Sequence, residues 1–252
     1  MRVGSLSERD RLEREEPIVS TDPGALARLT TACERDLGDP ALWFRPDGYP
    51  NSLALCTIDS IYSTGSHYNS VVNVIKRYVT YRSDHGGNAY TDGLAELVAT
   101  FEALDGASSW ATKIGNQKKV STRPGAVLKS TAVETAARSL LRLRVDTTDD
   151  LRMSAANEKP EPKQEWVKVP GQRSGVTWEY CQMLAGIPGV KADRMVVRYV
   201  ARTLGVDTSD VSPHRAASLV SAVGAAKDWN VIHLDHAIWR FESGRPVNRD
   251  DD

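Results

Sequence analysis

Apolar positions recur at three- and four-residue spacing through most of the chain, and no stretch alternates convincingly with a period of two. Leu53, Cys56, Thr57, Ser60 and Ile61 mark one such face, and Val71, Val72, Val74, Ile75 and Tyr78 mark the next. Leu94, Leu97, Val98 and Phe101 share one side of residues 91–104, and Val133, Ala136, Ala137, Leu140 and Leu141 share one side of residues 131–143. Two helix starts are punctuated alike: Asp22 before Pro23 and Ser212 before Pro213 each set a side-chain oxygen ahead of a proline in the first turn. Further helices are predicted over 23–37, 177–184, 193–204, 213–226 and 231–242. The Lys-, Glu- and Pro-rich stretch 153–169 reads as a connection. The pattern predicts an all-α fold of eight to ten helices in one or two lobes.

Composition narrows the class without naming it. The 252 residues suffice for a sizeable core, and 40% hydrophobic with 26% charged residues is ordinary for a globular protein. The formal net charge of −1 means that any nucleic-acid face must come from local segregation of charge. Cys33, Cys56 and Cys181 form no CxxC pair, so neither a zinc site nor an iron–sulfur cluster is expected, and buried thiols in a reducing cytoplasm fit them. No apolar run approaches the roughly 20 residues that span a bilayer, and the charged stretch 8–16 is no signal-peptide core, so a cytoplasmic protein without membrane contact is expected. Residues 1–22 read as a flexible charged arm, 23–245 as the helical domain and 246–252 as an acidic tail. His233 and His236 share a helical face, but no third ligand stands near them in sequence and no metal is expected.

The stretch Leu184–Val197 carries most of the functional signal. An apolar helix end runs into Pro188-Gly189, and a second amphipathic segment starts at once. Helices joined this tightly expose the backbone amides of the turn, and such amides beside a helix N-terminus are a seat for phosphate. The densest basic run, from Lys113 to Lys129, holds Lys118, Lys119 and Arg123 with almost no acid. It reads equally as a phosphate-contacting loop or as a solvated loop entering a helix. Gly171 to Gly175 reads as a linker. Asp59 and Asp235 each sit in an apolar helix, where a buried carboxylate needs partners, and a structural role is expected for both. Tyr62, Tyr68, His67, Trp178 and Tyr180 could stack on a base, although aromatics at helical spacing usually belong to a core.

Leu184-x-x-Ile187-Pro188-Gly189-Val190, followed by an apolar helix, resembles the helix-hairpin-helix DNA glycosylases of the endonuclease III-like superfamily. His233 to Arg245 resembles the last barrel helix of that fold, and residues 53–78 resemble its opening helix–turn–helix, with Ser63-Thr64-Gly65 at the turn. The resemblance covers residues 50–245 and implies a two-lobed helical fold with its hairpin at 178–204. It implies double-stranded DNA as partner, held by Ile187, Gly189, Val190 and Lys191; the basic run, read from its charge, would add Lys118, Lys119, Arg123 and Lys129. A base would be flipped into a pocket between the lobes, flanked by Tyr62 and Tyr68. The one ion the resemblance brings into view is a monovalent cation at the hairpin.

Three departures qualify that expectation. Lys191 replaces the second hairpin glycine, putting a β-carbon where the family often has a left-handed backbone. Asp193 stands at the position of the lysine that forms a Schiff base in bifunctional members, so lyase chemistry is not expected. Val211-Ser212-Pro213-His214 stands where the family has V-D-T-H or V-D-P-H, and serine offers no charge to a sugar cation. Asp210, just upstream, becomes the candidate catalytic acid. Three functions remain in view: a monofunctional DNA N-glycosylase using Asp210 or another pocket acid, a catalytically inactive DNA-binding or lesion-recognition protein on the same fold, and a helical interaction protein without nucleic-acid contact.

Overall fold

The computed structural model describes residues 22–44 and 47–248; the charged arm, up to residue 21, lies outside them, as does the last part of the acidic tail. Among the described residues the chain is helical throughout, with only two isolated β-bridges, Trp43 to Asn248 and Lys119 to Leu128. The helices are α1 (Pro23–Leu37), α2 (Leu53–Tyr62), α3 (Tyr68–Asp84), α4 (Leu94–Ala103), α5 (Ala107–Lys113), α6 (Lys129–Arg142), α7 (Thr148–Ala156), α8 (Glu161–Lys168), α9 (Val176–Leu184), α10 (Arg194–Leu204), α11 (Pro213–Lys227) and α12 (Val231–Glu242).

They enclose two hydrophobic cores. The first lies among α2 to α9 and includes Leu55, Ile58, Tyr62, Phe101, Trp110 and Trp166. Its centre is α2, in which every residue is buried, as expected of a helix apolar on nearly all sides. The second core joins α1 to α10, α11 and α12 through Leu29, Cys33, Trp43, Val196, Tyr199, Leu219 and Leu234. The second lobe is therefore made of both ends of the described chain. The Phe44 amide donates to Val247 O at 2.9 Å, and Arg240 Nε donates to Pro246 O. Residues 246–248 thus belong to this lobe, and the tail expected to begin at 246 is corrected over these three residues alone.

The helix starts at Pro23 and Pro213 follow the expected chemistry. Asp22 accepts from Gly24 N at 3.0 Å, and Ser212 Oγ accepts from Arg215 N at 3.1 Å. The stretch 153–169, expected to be a connection, instead contains the end of α7 and all of α8. A single anchor explains why α8 hides in the sequence: beyond Pro162 it buries only Trp166, whose Nε1 donates to Thr177 Oγ1 at 2.9 Å. One tryptophan holds the helix while Lys and Glu cover its other faces, so no apolar stripe forms.

Candidate nucleic-acid interface and interlobe cluster

The passage from α9 to α10 is the joint between the lobes, and its backbone is fixed at both ends. Past Leu184 the chain closes a Schellman turn, with Ile187 N donating to Gln182 O and Gly186 N to Met183 O, each at 2.9 Å, and Gly186 at φ +84°. Leu184 O accepts the Tyr49 amide at 2.7 Å. That approach requires glycine at 48, where φ is +60° and a β-carbon would stand 2.6 Å from Leu184 O. Arg152 holds Ala185 O with Nε at 3.1 Å and Nη2 at 2.8 Å, and also donates to Pro50 O. On the far side Asp193 caps α10, accepting from Met195 N at 2.8 Å. Between these anchors, among the described residues, the amides of Gly189 and Val190 donate to no acceptor in the protein. Lys191 is not among the residues with positive φ, so the strain anticipated from its β-carbon does not arise.

Lys191 turns inward. Its Nζ lies 3.5 Å from the centroid of the Tyr180 ring and donates to Ser63 Oγ at 3.2 Å. Nearby, the fully buried Asp59 accepts from Tyr49 Oη at 3.0 Å and from Tyr68 Oη at 3.5 Å through Oδ2, while Oδ1 has no hydrogen-bond partner. Burial raises the Asp59 carboxyl above its ordinary range, against the lowering pull of Lys191 and the tyrosine hydroxyls. Burial also lowers the Lys191 ammonium, against the attraction of Asp193, Asp59 and Asp235. From the second lobe, Asp235 is raised by burial and by Asp193, with Lys191 and its amide pulling the other way. His236, stacked near Phe44 and Trp239, is lowered to about 4 by burial and by Arg240, Lys191, Arg245 and His233. Asp235 Oδ1 and His236 Nε2 are also buried without partners. The joint therefore gathers three acids, Asp59, Asp193 and Asp235, with a lysine, a histidine and three tyrosines, drawn from both cores.

The basic stretch forms a closed loop between α5 and α6. Val120 N donates to Val127 O at 3.0 Å, and Lys129 N donates to Lys118 O at 2.9 Å. Lys119 and Arg123 are exposed and Lys118 half-buried. Lys129 does not join them at the surface. It is 2% exposed, and its Nζ donates to Tyr62 O at 2.9 Å, to Thr64 O and to Ser66 Oγ at 3.1 Å. The expected phosphate contact of Lys129 is corrected on this ground: it caps the carbonyl end of α2. Burial, with Lys118 and Lys191 nearby, lowers its ammonium to about 8.

The other sequence-expected residues divide. Tyr68 reaches the cluster through Asp59. Tyr62 does not: it is 1% exposed, packed in the first core near Trp110. Ile187 rests against the same core, Gly189 is half-buried and Val190 is buried in the second core. Asp210 is exposed on a 3-10 turn, Thr208–Asp210, and no side-chain contact joins it to the cluster. Asp193, expected only as a missing lysine, is the α10 cap. Tyr49, Ser63 and Arg152 carried no local signal, because their partners lie far off in sequence. Among the described residues no group of three metal-ligating side chains is found, and no helix is long and apolar enough to cross a membrane.

Fold and site define an all-helical protein of two lobes, whose joint is a helix hairpin facing a buried polar cluster. The chain belongs to the family described as Domain of unknown function (DUF8548), whose model matches residues 27–243. No curated protein and no solved structure matches it.

Proposed function

We propose that this chain binds double-stranded DNA on a base-excision glycosylase type of fold, with the hairpin and the basic loop forming one contact surface. One observation carries the reading. Lys118 of the loop and Lys191 of the hairpin both bear on Lys129 at the turn after α2, so two features 73 positions apart converge. Lys129 and Lys191 are turned inward there, and in a chain of net charge −1 the exposed Lys119 and Arg123 of the same loop supply the local positive charge a phosphate backbone calls for. The unpaired amides of Gly189 and Val190 add neutral donors at the same joint. Anisotropy of a labelled duplex, titrated from about 50 to about 200 mM salt, tests this. Binding should weaken steeply, and changing Lys118, Lys119 and Arg123 together to glutamate should flatten the log–log slope by about 3. Affinity unaffected by the triple change removes the reading.

The buried acids favour a second, narrower reading: a monofunctional DNA N-glycosylase. Water would attack the anomeric carbon as the glycosidic C–N bond breaks, a carboxylate taking the water proton and handing it on to the nitrogen of the departing base. The acids gathered between the lobes are Asp59, Asp193 and Asp235, so they replace Asp210 as candidates. With Asp193 committed to its cap, Asp59 and Asp235 remain; burial raises both carboxyls and Lys191 pulls against it in each, and Asp235 is the one supplied by the second lobe. Strand cuts after hot alkali on duplexes with damaged bases, lost in Asp235→Asn and kept in Asp210→Asn, would support it. No cutting on a broad panel leaves the inert binder.

A further inference from the structure

A basic stripe runs along α10. Arg194, Arg198 and Arg202 recur every four residues, and all are exposed. They span about 12 Å of helix, the axial length of about three to four nucleotide steps of one DNA strand. Two of them are already held in place. Arg198 Nε and Arg202 Nη2 donate to the two oxygens of one carboxylate, Glu242, at 2.6 and 3.0 Å, and the Glu242 side chain is only 10% exposed. Arg198 Nη2 donates as well to Glu242 O at 3.1 Å. The Arg202 guanidinium lies over the rings of Tyr199 and Phe241, 5.2 and 5.6 Å from their centroids.

One carboxylate cannot balance two guanidinium groups. Asp36, the other acid that feels Arg202, is already paired with Arg35 at 2.6 Å. Arg194 has no ion pair among the described residues, and Asp193 beside it spends its carboxylate on the α10 amides. The next acids, Asp207 and Asp210, follow Gly205, past the end of α10. The stripe therefore keeps an excess of positive charge, and Arg202 keeps N–H donors that a single carboxylate oxygen does not use. We propose that this stripe is a second contact surface for the phosphates of duplex DNA, continuing the hairpin's contact onto the second lobe. The inference rests on the DNA-binding reading above and extends its partner surface. Arg194 is the first residue of α10 after the Asp193 cap, so the stripe starts where the hairpin ends. Guanidinium forks match phosphate oxygens, and side chains ordered in advance lose less freedom on binding.

The test is anisotropy of the full chain with a labelled duplex, titrated from about 50 to about 200 mM salt. Arg194→Gln combined with Arg202→Gln removes two charges while Arg198 still holds Glu242, and should reduce the log–log slope by about 2. Arg194→Lys combined with Arg202→Lys keeps the charges and should keep the slope. A folded glutamine variant with wild-type affinity and slope overturns the inference, as does a slope that falls equally in the lysine variant. Should the glutamine pair not fold, Arg194→Gln alone, which breaks no ion pair, should reduce the slope by about 1, and an unchanged slope overturns the inference. A slope lowered by the change at Lys118, Lys119 and Arg123 but not by the change on α10 refutes the inference alone. Wild-type protein that binds no duplex refutes the DNA reading, and the inference with it.

Discussion

Lys191 Nζ sits 3.5 Å from the centre of the Tyr180 ring, so the residue at the tip of the hairpin is seated on an aromatic of the first lobe. Both are half-buried, and the contact spans the joint between α9 and α10. A cation over an aromatic face in so desolvated a place is worth about 2 kcal/mol. It also sets the charge environment of the two buried acids.

Replacing Lys191 by Met keeps the stem and removes the charge. Asp59 and Asp235, whose carboxyls Lys191 pulls down, would then rise further. A carboxyl raised in the folded state contributes stability at low pH that is lost as pH climbs through its folded value. Lys191→Met should therefore cost more at pH 8 than at pH 5, by about 1–3 kcal/mol in urea unfolding. Equal costs at both pH values would show that Lys191 does not act on these acids.

His236 predicts the opposite dependence. Its folded value of about 4 lies below the 6.5 of an exposed histidine, so the unfolded chain takes up the proton first on acidification. Its contribution is whole above pH 6.5 and is lost as pH falls from there toward 4. The shift corresponds to about 3 kcal/mol at most. Asp59 and Asp235 act in the reverse sense, so the comparison to make is wild type against His236→Phe, which should lose less stability between pH 7 and pH 4.5. Parallel unfolding midpoints across that range would contradict the assignment.

Lys129 and Lys119 should separate cleanly. Lys129→Met strands Tyr62 O, Thr64 O and Ser66 Oγ at the end of α2, and should lower stability by about 3 kcal/mol. Lys119→Glu, at an exposed loop position, should leave the thermal midpoint within about a degree or two while weakening duplex binding. Thermal melts of both variants, beside anisotropy, decide between these roles.

How much of this was legible depends on whether the signal is local. Helices 23–37, 213–226 and 231–242 are written in caps and periodicity, and α1, α11 and α12 end within one residue of those bounds. The seven residues of α5 bury only Trp110 and Ala111, too little to leave a stripe. The cluster was opaque for a different reason. Asp59 could be read as a buried acid in need of partners, but those partners, Tyr49, Tyr68, Tyr180 and Lys191, come from four separate segments. Lys129 shows the same limit: in sequence it belongs to a basic run, and only the return of the loop onto the end of α2 turns it inward. Ser212 was legible as a cap, since that role needs only the residues beside it.

The central claim is that the hairpin tip meets a DNA phosphate, and Gly189 is the place to test it. Its φ is not positive, and a β-carbon there would meet only Met183 Cγ at 3.5 Å and Ile187 O at 4.0 Å, so an aspartate is accommodated. Gly189→Asp should leave the thermal midpoint unchanged, weaken duplex binding at least about tenfold and reduce the salt slope by about 1. Duplex affinity and salt slope identical to wild type in the folded variant would contradict the account.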